Sequence, residues 1–342
     1  MVIRLRQYTG KIVSKNSKVS NTTQENLKSF NKKQSISGKV PGRTVGFSLM
    51  SALIIVAAFL MKMQSASNQF LDAALDSLID VPGFKSDAWY LPDDSLFGFV
   101  EIAAGEFTMG SNPALDRLAY ENERWSSLQR QGRVELPTYY VNRFETTRAQ
   151  FNAYLAETNM PNRLSASNGD LNHPISNITW PEAVAYAKWL DMKLRSSAAT
   201  PDALKSMLDD GARVSLPNEA EWEKAARGTD GRVFPWGSQP TSEYANFNSG
   251  EPRSVGDAVC SGCANGLSDM AGNVWEMTRS PFQEYPYNAD DDAENLEEDA
   301  LWIMRGGSFA DGLNNIRTAV RGAVDPGVRN ATIGFRVVIS QL

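Results

Sequence analysis

The chain has 342 residues, 42% of them hydrophobic and 10% aromatic, which supports a sizeable core and excludes a chain that is disordered throughout. Its net charge of −6 conceals a division: residues 1–44 carry ten of the 34 basic residues and one acid, Glu25, leaving −15 on the remainder. A body this acidic repels phosphates, so nucleic acid is excluded as its partner.

Residues 1–44 show no hydrophobic periodicity and read as a basic, disordered cytoplasmic tail. Its cations suit either anionic headgroups or the simpler task of fixing topology. Residues 45–61 are uncharged and about the minimum length for a helix across the hydrocarbon layer, so they are expected to form a single transmembrane anchor. The Lys and Arg excess upstream places the N-terminus in the cytoplasm and the body outside it. The expected location is a bacterial-type inner membrane, crossed once, with a periplasmic C-terminal domain. Ser65-Ala66-Ser67 keeps a cleaved signal open as the alternative, although the preceding basic region is far longer than a usual n-region. Residues 62–96 read as a stalk or linker. Phe70, Leu71, Ala74, Leu75 and Leu78 recur at helical spacing there, and Pro82-Gly83 ends the run.

The body, residues 97–342, has mixed patterning. Phe99-Val100-Glu101-Ile102 and Tyr139-Tyr140-Val141 read as short strands. Residues 147–155 read as a helix with Phe151, Tyr154 and Leu155 inward. A second helix starts at Thr179-Trp180-Pro181-Glu182, with Pro in its first turn and Ala183, Ala187 and Leu190 on one side. A third starts at Asn218, a capping residue followed by Glu219 and Glu221 at the positive helix end. From Gly228 onward regular elements are expected to be short, and the acidic run 290–299 reads as a solvated loop. The texture is that of a loop-rich α+β domain.

Seven blocks, taken in order, carry a resemblance: residues 104–110 (AGEFTMG), 140–147 (YVNRFETT), 173–180 (HPISNITW), 213–223 (RVSLPNEAEWE), 266–276 (GLSDMAGNVWE), 305–309 (RGGSF) and 334–338 (GFRVV). The body so resembles the formylglycine-generating-enzyme, or sulfatase-modifying-factor, family. The resemblance implies a C-type-lectin-like α+β fold; fold alone does not fix function. It also implies a structural calcium at Asp269, Gly272, Asn273, Val274 and Glu276, where hard oxygen donors and exposed carbonyls suit that ion. A capped turn is the competing reading of the same residues. A second calcium site of some relatives would begin at Asn246-Phe247, but the acidic partner that should follow is missing and the site is not carried over.

The family's enzymes oxidise cysteine with a thiolate pair that binds copper, soft ligands for Cu(I). That pair lies just after the Gly-Gly-Ser-aromatic segment. Asp311 stands at the first cysteine's position here, and no cysteine follows Cys263, so copper and formylglycine chemistry are not expected. Iron-dependent, ergothioneine-type relatives need several histidines. This chain has only His173, in a pre-helix motif, so iron is not expected either. Cys260 and Cys263 lack the further ligands zinc requires. In an oxidising compartment they are expected to form a local disulfide, with a copper or redox role as the alternative.

Arg305, Arg317, Arg321, Arg329 and Arg336 fall near the expected cleft. They read either as a site for a small anionic ligand, with Asp311, Asn314, Arg317 and Arg321 as its residues, or as partners of core acids. The expectation for the whole is a membrane-anchored extracytoplasmic binding or accessory protein, its partner an envelope protein or a small anionic ligand. The alternative is a periplasmic oxidoreductase that matures a small-molecule or protein substrate, as in the family's pyoverdine-maturing branch.

Overall fold

The computed structural model describes residues 90–91, 94–160, 171–258, 260–292 and 300–341. The expected tail 1–44, the anchor 45–61 and most of the stalk 62–96 lie outside them. Among the described residues no helix is long and apolar enough to cross a membrane.

A four-stranded antiparallel sheet forms the centre, in the order β1 (Phe99–Ile102), β4 (Tyr139–Asn142), β10 (Val338–Ser340), β5 (Arg213–Ser215). The last strand lies between two earlier ones, with Val338 opposite both Val141 and Ser215. Side chains alternate across a strand, and here the alternation divides two cores. Tyr140, Phe99, Val214 and Ile339 join Phe151, Tyr186 and Leu190 on one face. Tyr139, Val141, Ile102 and Val338 join Trp222, Ala225 and Met270 on the other. Both faces are covered, which is why all four residues of β4 are buried.

The first core belongs to α1 (Arg148–Glu157), α2 (Trp180–Ser196) and α3 (Asp202–Asp209). Helix starts follow their sequence signals. Gln150 N donates to Thr147 Oγ1 at 3.2 Å while Thr147 N donates to Gln150 Oε1 at 2.9 Å. Thr179 N donates to Glu182 Oε2 at 2.9 Å, with Pro181 beside it in the first turn. These reciprocal bonds satisfy amide donors that a helix end leaves orphaned. Helix α3 was not expected, although Leu204 and Leu208, both buried, show its i, i+4 spacing.

The second core holds α4 (Glu219–Arg227) and the hairpin of β2 (Gly105–Met109) with β3 (Gly132–Leu136). A second four-stranded sheet runs β8 (Gly322–Val324), β7 (Trp302–Arg305), β6 (Trp275–Pro281), β9 (Ile333–Gly334). Trp180 joins it to α2: its ring stacks on Trp302 at 4.0 Å and its Nε1 donates to Thr278 O at 2.8 Å. Strand β6 corrects the expectation of only short elements after Gly228. It has seven residues, all buried, and it continues directly from the Asp269–Glu276 segment. Its polar residues hid it, because strand patterning is read from apolar alternation.

Candidate functional site

Helix α4 sets the electrostatics of the domain. All nine of its residues are buried, including Glu219, Glu221, Glu223, Lys224 and Arg227. Buried charges persist only when paired or well hydrogen-bonded; the three glutamates and Arg227 are ion-paired, and Lys224 is held by carbonyl oxygens. Glu223 accepts Gly110 N at 2.8 Å, pairs with Arg227 at 3.2 Å and takes a charge-assisted bond from Arg305 Nη2. Arg305 Nη1 then donates to Ala319 O and Val320 O at 2.8 and 2.6 Å. Lys224 Nζ donates to Ala103 O and Gly105 O at 2.8 and 2.9 Å.

Glu276 and Arg336 form a second buried fork. Arg336 Nε and Nη2 donate to Glu276 Oε2 and Oε1, each at 2.6 Å, and Trp222 Nε1 donates to Oε2 at 2.6 Å. The remaining Arg336 donors reach the carbonyls of Asn142, Arg143 and Ser268. Burial works against the Arg336 charge, but Glu276, then Glu145 and Asp269, more than offset it and raise its pKa above the ordinary value. The motif arginines and glutamates thus lace the sheets to the loops.

The structure gathers the five expected calcium residues on one turn but engages several elsewhere. Both Glu276 oxygens are held by Arg336 and Trp222. Asn273 Oδ1 accepts from Asn246 Nδ2 and Arg253 N, and its Nδ2 donates to Glu145 Oε2 at 2.6 Å. Gly272 has φ +78°, and a Cβ there would stand 2.2 Å from the Asn246 carbonyl oxygen. That close approach lets Asn273 N donate to Asn246 O at 2.7 Å and Gly272 N to Gly306 O at 2.8 Å. Asp269 differs from its neighbours. Its Oδ2 accepts Gly256 N at 2.8 Å, while its Oδ1 is buried with no hydrogen-bond partner among the described residues. Burial, with Glu276 adding to it, pushes the Asp269 carboxyl up to about 6 against the Gly256 bond and the charges of Arg253 and Arg336. Burial, then Asp269 and Glu276, likewise raise the Glu145 carboxyl well above the usual carboxylate range. A buried acidic group with one free oxygen fits a cation; Glu276 fits as charge rather than as a free ligand.

The loop after Gly-Gly-Ser-Phe is closed by Asp311. Its Oδ2 accepts Trp275 Nε1 at 2.8 Å, Ser308 N at 3.0 Å and Ser308 Oγ at 2.5 Å; its Oδ1 accepts Asn315 Nδ2 at 2.7 Å. Asn314 is exposed, and its carbonyl accepts Arg317 Nε. Arg317 points inward to Asp116 at 2.5 Å and to Glu123 at 2.6 and 2.9 Å. Arg321 is directed to Glu219 at 2.6 and 2.9 Å and lies over the Tyr285 ring at 4.0 Å. Arg329 pairs with Glu182 on the surface. These pairs take up the positive charge on which a small anionic ligand would draw, so of the two readings of the arginines the core-acid one describes their contacts.

Cys260 and Cys263 are joined in a disulfide. Their loop is also held by Arg232, whose Nη1 donates to Gly262 O at 2.6 Å. Sequence reasoning missed Glu145, Glu223, Asp116 and Glu123, the acids that complete these networks. Two of them, Glu145 and Glu223, stand inside quoted blocks; Asp116 and Glu123 stand in irregular, polar segments that carry no local signal.

The geometry agrees with the comparisons. The model of the sulfatase-modifying factor enzyme 1-like domain matches residues 91–341. The serine/threonine-protein kinase Pkn1 of Chlamydia trachomatis is 27% identical over 275 residues, which cover 72% of this chain and 38% of that protein. The formylglycine-generating enzyme of Streptomyces coelicolor is 29% identical over 188 residues, covering 49% of this chain and 53% of that enzyme. The chain therefore spans about half or less of the length of these two relatives. Among solved structures, PvdO from Pseudomonas aeruginosa superposes with a TM-score of 0.57 at 23% identity, over 71% of this chain and 94% of that one; at that identity the likeness is one of fold. With the family model matched across the whole body, and the buried networks built from its motif residues, the chain belongs to the sulfatase-modifying factor enzyme 1-like family.

Proposed function

We propose that the chain is a membrane-anchored, extracytoplasmic binding or accessory protein whose domain does not generate formylglycine. One observation carries this reading. The position after the Gly-Gly-Ser-Phe turn holds Asp311, a hard oxygen donor whose two oxygens already take four hydrogen bonds. Copper-dependent thiol oxidation needs soft thiolates there. The chain's only two cysteines are joined to each other in a different loop. The full chain is expected to leave a sulfatase-motif cysteine peptide unconverted, with or without copper, under conditions where a formylglycine-generating enzyme turns it over. Formylglycine that disappears on Cys260→Ser would overturn the reading and make Cys260 and Cys263 a relocated copper site.

The anchor and the outside location belong to the same proposal, supported by the basic tail and the uncharged run 45–61. A C-terminal alkaline-phosphatase fusion should be active in cells, and an inactive one would sink the topology. We also propose a structural calcium beside Asp269, supported by its free buried oxygen, with the Gly272 and Val274 carbonyls completing the shell. The full chain should melt higher in calcium than in chelator, by about 2.7 kcal/mol of stabilisation at a hundredfold excess over Kd. Asp269→Asn should remove that response, and a response retained in the variant would place the ion elsewhere.

A further inference from the structure

Two cations act on the Asp269 carboxylate, Arg253 and Arg336, and they are placed differently. Arg336 is spent: its donors are divided between both Glu276 oxygens and three backbone carbonyls. Arg253 keeps donors in reserve. Its Nε and Nη2 are buried with no hydrogen-bond partner among the described residues, as is Asp269 Oδ1. A buried donor left open is costly, and so is a buried acceptor. Here the two belong to side chains of opposite charge, so whatever satisfies one bears on the other.

The backbone holds Arg253 at that place. Its N donates to Asn273 Oδ1 at 3.0 Å, and its carbonyl accepts from Asn273 Nδ2 at 3.4 Å. Three residues on, Gly256 N donates to Asp269 Oδ2 at 2.8 Å. Between them Val255 is buried with Leu91 and Phe144. A Cβ on Gly256, at φ +79°, would stand 2.7 Å from the Phe144 ring. Residues 253–256 are therefore fixed along the Asp269–Asn273 turn, while Arg253 itself is only half-buried. The preceding Gly250 and Glu251 are exposed, which leaves the guanidinium a way out toward solvent.

We propose that Arg253 is a built-in competitor for the calcium beside Asp269, an inference that rests on the calcium reading given above. Without the ion, the guanidinium supplies the positive charge that the buried Asp269 carboxylate needs. With the ion bound, a divalent cation and a guanidinium share one turn, and their repulsion favours the state in which Arg253 has moved outward. Each bound ion must displace a charge the chain already provides, and affinity falls by the cost of that displacement. The count of free carboxylates sets calcium affinity, and Glu276 is already neutralised by Arg336. The site therefore fills and empties with the calcium level, at about 10⁻⁴–10⁻³ M, the range of extracellular calcium modules.

The test is calorimetric titration of calcium chloride into the full chain in detergent micelles at constant ionic strength, with Arg253→Gln and Arg253→Lys beside wild type. Arg253→Gln is expected to bind calcium at least about tenfold tighter, because the competing charge is gone. Arg253→Lys keeps the charge and should stay within about threefold of wild type. Equal or weaker affinity in Arg253→Gln would overturn the proposal, as would tightening in Arg253→Lys to the level of Arg253→Gln. Should Arg253→Gln fail to fold, Arg253→Met is the second neutral variant, read against the same outcomes. A calcium response in Arg253→Gln but not in wild type would sink the calcium reading for the native chain and support the competitor. Binding to neither protein would sink both.

Discussion

The ion-pair centre around α4 and the cleft after β6 use the same residue types and reach opposite ends. In the centre, Glu223 and Glu276 are wholly buried and every oxygen meets a donor. In the cleft, Asp292 takes two hydroxyls with the Arg279 charge nearby, and Glu284 stands in solvent. Burial without a partner is costly, so a carboxylate in a core must be answered from within the fold. A carboxylate at the rim can be left to solvent. Whether an acid is tied into the fold or left toward solvent is decided by where its cations are spent.

The comparison breaks hardest at Glu223. Glu223→Ala removes the nearest counter-charge of the buried Arg305 and Arg227 and the acceptor of the Gly110 amide. Denaturant unfolding should show a loss of about 3–5 kcal/mol, the cost of an uncompensated buried charge. A loss below about 1 kcal/mol would mean that water reaches the centre and that the pairs are not structural.

The disulfide lies on the loop leading into the Asp269 turn and tests whether that loop depends on a covalent tie. Cys260→Ser should cost about 2 kcal/mol by the chain-entropy figure for so short a loop, read from the denaturation midpoint. The Gly262 bond to Arg232 is expected to keep the loop in place meanwhile. Loss of the whole folded state would move the disulfide from the periphery to the centre of the domain.

Acid sharpens the contrast from the cleft side. The Asp292 carboxyl, pushed up to about 6 from an ordinary 3.8, binds its proton more tightly folded than unfolded. Its ionisation therefore costs stability above about pH 6, and that cost is relieved as pH falls from about 6 toward 4. Wild type should gain on the order of 1 kcal/mol relative to Asp292→Asn when melting is compared at pH 7.5 and pH 5. An identical pH response in the two proteins would show that Asp292 is solvated as freely as an ordinary surface acid.

The smallest effect belongs to Arg329 and Glu182, a bidentate pair with side chains 38% and 36% exposed. Arg329→Ala should cost at most about 0.5–1 kcal/mol, and less in high salt. Thr179 N keeps its bond to Glu182 in the variant, so the start of α2 survives. A larger loss would show that the surface pair is part of the fold's electrostatic frame.

Much of the fold was legible locally. Thr147, Thr179 and Asn218 start helices because a capping residue and its N3 partner lie within four residues of each other. The aromatic and aliphatic residues of Phe99-Val100-Glu101-Ile102 and Tyr139-Tyr140-Val141 read as strands because strand preference needs no distant information. The motif blocks gave the family, since their order is itself a sequence property. Asp311 at the position the resemblance gives to a cysteine was also plain, and the expectation that copper chemistry is absent rests on oxygen being hard and sulfur soft.

The tertiary structure decided the rest, because pairing is a matter of distance across the fold. Arg317 and Arg321 are identical in sequence terms to ligand-binding arginines until Asp116, Glu123 and Glu219 arrive from positions a hundred or two hundred residues away. Strand β6 was hidden because its polar residues are buried by partners on β7, α4 and the C-terminal segment. The same holds for the Asp292 cleft: the sequence shows an acidic run, and only packing against Ser280, Tyr285 and Tyr287 turns part of that run inward. A charge is visible in one residue, whereas its neutralisation depends on two residues brought together by the chain between them.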